Sequence, residues 1–195
     1  LGYNQLLSTN SVELMAEKGN TFIEALKHKL SQASGERKQS LEKKIAVVER
    51  MVAFAKSVPD RWAAHENLAK TPRGLAIHAM VLDVDVGPLL QLQKLMDSMN
   101  FARRKGYTKP LTASELEMMN LTGDGNGYDM ISLPPAMREK VPTSNFFLPS
   151  GYRSNLVARK NNLASTLIGA TDRIMDTESK LPGALEMAAA YDMGH

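Results

Sequence analysis

Cysteine is missing from all 195 residues. That excludes disulfide staples, thiolate metal ligands and cysteine nucleophiles together, and it suits a secreted bacterial or virion protein. Aromatic residues are scarce at 6%, too few for the stacking platform on which single-stranded nucleic acid lies. An excess of one charge is also lacking. The 24 Lys and Arg against 21 Asp and Glu leave a net +3, short of what a phosphate-binding surface needs, so nucleic acid is not an expected partner. No apolar run reaches the ~18 residues of a membrane span. The chain opens on Leu1 rather than Met, the start of an excised or processed piece, and this leaves a preceding targeting segment open.

What is abundant is helical periodicity. Leu41, Ile45, Val48, Val52 and Ala55 recur at alternating steps of four and three, a spacing that lines one face of a helix and that no strand can use. Val12, Met15, Phe22, Leu26 and Leu30 repeat similarly, with Gly19 where a neighbour can come close. Between the stripes, Gly35 is free to take a left-handed conformation. The pattern predicts an antiparallel helical hairpin over residues 11–56.

Further along, Asp60 ends a break before a short helix at 61–70, and Thr71-Pro72 starts another. Leu89, Leu92, Leu95, Met96 and Met99 share a face of a longer helix, closed by Arg103, Arg104 and Lys105 and stopped at Gly106. Thr112-Ala-Ser-Glu115 is a capping-box pattern. Five of the nine prolines fall within 101–151, so that quarter reads as loop with short helices. A long amphipathic helix is predicted from Tyr152 through Met175, then a break at Pro182 and a terminal helix. The expected fold is all-α, an irregular bundle of seven or eight helices. It is read as a single domain over 1–195, with a possible subdivision into an N-terminal body (1–106), a connector (107–151) and C-terminal helices (152–195).

Few residues offer chemistry. Thr122-Gly-Asp-Gly-Asn-Gly-Tyr-Asp129 is the most unusual octet. As a calcium loop it lacks the sixth-position glycine and the twelfth-position glutamate, and as a phosphate cradle it lacks the P-loop lysine and a preceding strand. The expectation is an exposed glycine turn, with Asp124, Gly125, Asn126, Gly127, Tyr128 and nearby Met130 as candidates for contact with a protein partner. Met118, Met119, Met130 and Met137 cluster around it, as core filler or as an adaptable surface. His78 reads as a structural histidine, with Asp83 and Asp85 as caps of the next helix. His28 and His195 have no partners in sequence. Arg153, Arg159 and Lys160 form a second polar face. No metal or cofactor is expected.

Trp62-Ala-Ala-His-Glu66 sets the sole tryptophan and a glutamate four residues apart on one helical face. This spacing resembles the W-x-x-x-E signature of secreted bacterial effectors that act as exchange factors for Rho-type GTPases. The resemblance rests on those two residues and on a later glycine-rich segment. It implies an all-α, two-bundle domain whose inter-bundle loop enters the GTPase switches. Read from packing alone, Trp62 is a buried structural residue. The leading functional expectation is a non-enzymatic interaction or assembly module, bacterial or phage, that binds a protein through its Met- and Gly-rich middle. The exchange factor is the alternative, and a hydrolase with a site assembled from distant residues is the weaker one.

Overall fold

The computed structural model describes residues 6–193. The chain is all-α, and the described residues form twelve α-helices and no strand. They divide into two compact units, Leu1–Lys94 and Leu95–His195. The first unit contains α1 (Ser8–Gln32), α2 (Gly35–Ala55), α3 (Trp62–Ala69) and α4 (Pro72–Ala79). The next helix, α5 (Gly87–Arg104), carries the chain from one unit into the other.

The hairpin forms as its periodicity predicts. Leu41, Ile45, Val48 and Val52 of α2 are buried, and so are Val12, Met15, Phe22 and Leu26 of α1. Gly35 carries the expected positive φ, +54°. At Gly19 the helices touch so closely that a Cβ there would run into Val52 Cγ2. Helix α1 also packs against α3 and α4, so one long helix serves three neighbours. Thr71 caps α4, its hydroxyl accepting from Gly74 N at 3.1 Å with Pro72 in the first turn, a position where the missing proline donor costs nothing.

Two expectations about helix faces are corrected here. Trp62 is 47% exposed, not buried. It opens α3, and His65 and Ala69 are the residues that this helix turns into the core. On α5 the stripe from Leu89 to Met99 is not the covered face, because Leu92 and Met96 are exposed while Leu90, Ser98 and Ala102 are buried.

The second unit is built around α6 (Ala113–Thr122), which packs against α7 (Asp124–Ser132) and α11 (Ala164–Glu178). Its core holds Met118, Met119, Met130, Ile131, Phe146 and Leu167. Between α7 and α11 lie three short helices, α8 (Pro135–Arg138), α9 (Pro149–Ser154) and α10 (Leu156–Lys160). With α7, where a turn was expected, they bring the count from the expected seven or eight to twelve. The single long helix expected from Tyr152 to Met175 is interrupted twice. Asn155 leaves the helical conformation and caps α10, its side chain accepting from Ala158 N, and Asn161 ends that helix. Val141 O then accepts from Ala164 N and Thr143 N donates to Asn162 O, tying the interruption to the segment before it. The last helix is α12 (Pro182–Met193). His195 lies outside the described residues.

Candidate functional site

Residues 124–132 are helical, which overturns the glycine turn expected at 121–128. The physical cause is close packing. Gly127 is buried, and a Cβ on it would stand 2.6 Å from Met119 N and 2.8 Å from Met118 O. Only glycine lets α7 lie this tightly on α6. Gly123, at φ +85°, makes the break between the two helices. The octet is thus a helix joint, and its residues have separate duties. Asp124 starts α7 and accepts from Ser98 Oγ at 2.7 Å. Gly125 and Asn126 are exposed, and Met130 is fully buried.

Of the six, Tyr128 opens onto a cavity. Its ring meets Phe101 and Tyr107 edge-on, at centroid distances of 6.1 and 6.4 Å, and its hydroxyl donates to Lys105 O at 2.9 Å. The cavity beside it, of about 610 Å³, is lined by Tyr107, Lys109, Pro110, Leu133, Pro134 and Arg138 among others. That volume lies in the range of small-molecule and peptide-anchor pockets.

Glu115 sits at its base and is buried. Its Oε2 accepts from Thr112 N at 3.0 Å while Thr112 Oγ1 accepts from Glu115 N, so the capping box is formed as the sequence predicts. Its Oε1 accepts from Tyr107 Oη at 2.8 Å and faces Arg138 at 3.9 Å. Arg138 is in turn committed to the backbone, donating to Leu133 O at 2.9 Å and to Ile131 O. Burial, reinforced by the hydrogen bond to Glu115, pushes the Tyr107 hydroxyl up to about 12. The acid and the phenol hold each other in place, and a phenol raised this far does not exchange a proton near neutral pH. Sequence reasoning found Glu115 as a cap and missed Tyr107 and Arg138, because a tertiary cavity leaves no spacing to read.

The remaining candidates are dispersed. On α3, Glu66 is used by Lys70 at 3.0 Å along its own exposed helix face. His78 Nδ1 lies 3.0 Å from Ser11 Oγ, and His28 is exposed. Asp83, expected as a cap of α5, instead accepts from Asp85 N and Val86 N at 2.9 and 3.0 Å, which closes the turn just before the helix begins at Gly87.

Asp85 does something the sequence reading missed. Its side chain is 2% exposed and draws in Lys29 at 3.2 Å, Arg37 at 2.5 Å and Lys44 at 2.5 Å. Burial works to raise its pKa, but hydrogen bonds from Arg37, Lys44 and Lys29 overcome that and hold the carboxyl well below the usual range. Arg153, Arg159 and Lys160 are exposed.

No group of three or more His, Asp or Glu side chains that could hold a metal ion occurs among the described residues. Among them no single helix is long and apolar enough to cross a membrane. No protein-family model matches the chain, and neither a curated protein nor a solved structure is similar to it.

Proposed function

We propose that the protein is a non-enzymatic interaction module whose second unit holds a segment of a protein partner in the cavity bounded by residues 106–138. The observation that carries this reading is the state of Glu115. It is the acid at the base of the cavity, and its oxygens are already engaged by Tyr107 Oη, Thr112 N and the Arg138 guanidinium. A carboxylate saturated in this way shapes a wall and is spared from acid–base work.

The walls suit a peptide. Tyr107, Tyr128, Pro110, Pro134 and Leu133 offer rigid apolar surface, and Thr108, Lys109 and Ser132 offer polar groups at the rim. Rigid aromatic and proline walls lose little side-chain entropy when a ligand is seated against them. A partner that inserts one large apolar side chain between Tyr128 and Leu133 fits this surface. The interaction role expected for the middle of the chain is kept, but its residues move. Met130 and Gly127 belong to packing, and Tyr128 is the member of the original group retained for contact.

The test places a photo-crosslinking residue at Leu133 of the full chain and, as a control, at Lys180. Capture of one protein from position 133, absent from position 180 and lost on Tyr128→Ala with the helical content intact, is the expected result. A hydrolytic activity abolished by Glu115→Gln in a folded protein would overturn the reading in favour of an enzyme.

A further inference from the structure

A second cavity lies wholly within the first unit, independent of the one just described. It is a groove of about 550 Å³ between α2 and α4, floored by Val47, Met51, Phe54 and Ile77. Arg50 stands on its α2 side and Arg73 on its α4 side, and no carboxylate is among its lining residues. The Arg73 guanidinium lies over the Phe54 ring, 5.6 Å from its centroid, so one positive group is already held at the edge of the apolar floor. From Val47 to Ala55 the α2 wall rises ~12 Å, room for about two helical turns.

The same chain carries a segment of the complementary character. Eight of the twelve residues of α12 are apolar, and Glu186 and Asp192 are its only charges. Leu181 just before it is 51% exposed, Leu185 within it is 55% exposed, and residues 182–186 all stand in water. A helix apolar around most of its circumference is normally a covered one, and exposed large side chains grouped in this way mark an association surface. At 1.5 Å per residue α12 is ~18 Å long, so its first two turns, with Leu185 and Glu186, span the groove. Glu186 is exposed beside Leu185 and offers the arginines of the groove an opposite charge.

We infer that the α2–α4 groove of one copy receives the C-terminal helix α12 of a second copy, making the protein self-associating. Apolar burial of Leu185 against Met51 and Phe54 drives the contact, and pairing of Glu186 with Arg50 or Arg73 sets its direction. Exchange of the same helix in both directions closes a two-fold dimer.

The test is the mass of the full chain by light scattering and sedimentation, from about 1 µM to about 1 mM. The expected result is a mass that doubles with concentration, with at least a tenfold weaker association in Leu185→Asp and in Arg50→Glu/Arg73→Glu. Restored association on adding Glu186→Arg to Arg73→Glu would support direct pairing, and circular dichroism of each variant checks that the helices persist. All four positions are exposed, so the substitutions leave the cores intact. A chain that stays monomeric throughout overturns the inference and leaves the groove to a different protein. An association indifferent to either Leu185→Asp or the arginine reversal overturns it equally, because both surfaces are required.

Discussion

Gly127 lies against the backbone of Met119, with a would-be Cβ 2.6 Å from Met119 N. Two residues away, Gly125 has nothing within 4 Å of the same position, although it belongs to the same helix. One glycine is required by tertiary packing, and the other is merely tolerated.

Opposite effects of the same substitution are therefore expected. Gly127→Ala has to push α7 off α6, at a cost of about 1–3 kcal/mol for overpacking. Gly125→Ala gains helix propensity and stabilises by about 0.5–1 kcal/mol. Urea melts of the two variants check this, and equal shifts would show that α6 and α7 are not in contact at Gly127.

What the sequence disclosed divides along the same line. The α1–α2 hairpin was legible because Leu41, Ile45, Val48 and Val52 repeat at helical spacing and bury one continuous face. The Thr112–Glu115 box and the Thr71 cap were legible because a cap is completed within four residues. Gly127 was misread because its dipeptide neighbours look like turn formers, and only the position of Met119 reveals its role. The Asp85 cluster was missed because its cations sit 41 to 56 residues away along the chain, so only the packing of the hairpin brings them together.

The Asp85 cluster predicts an acid limb of stability. The carboxyls of Asp83 and Asp85 are lowered in the folded chain, so the folded state binds fewer protons than the unfolded one. Their contribution is then fully present above the unfolded value of about 3.9 and is lost as pH falls below it. Asp85→Asn leaves Lys44 without its closest acceptor and is expected to cost about 2 kcal/mol at neutral pH. Between pH 5 and pH 2, roughly the span over which such carboxylates lose their contribution, its stability curve is expected to be flatter than the native one. Denaturant melts across that range decide the matter, and parallel curves would refute the cluster. Added salt removes part of the difference, since Lys29 and Arg37 are about half exposed.

Trp62 offers a direct spectroscopic check on the corrected face of α3. As the sole tryptophan, 47% exposed, it is expected to emit at long wavelength and to be quenched readily by iodide in the native protein. Trp62→Ala is expected to cost about 1–2 kcal/mol, below the 3–5 typical of a fully buried tryptophan. A blue-shifted emission that resists quenching would restore the buried assignment.

Tyr107 supplies the alkaline counterpart. Its hydroxyl is pushed up to about 12 by burial and by the bond to Glu115, so the folded chain holds a proton that the unfolded chain releases near pH 10. The stability from this bond is fully present below about pH 10 and disappears as pH rises through the folded value. Absorbance at the phenolate wavelength is expected to show one tyrosine titrating late in the native protein. That step should vanish in Tyr107→Phe. In Glu115→Gln it should move down toward the ordinary range, because the charge facing the phenol is removed and the hydrogen bond no longer runs to a carboxylate. If Glu115→Gln left the late step in place, burial alone would account for it. Glu115 would then have an oxygen to spare, and the argument that the cavity binds without catalysing would lose its support.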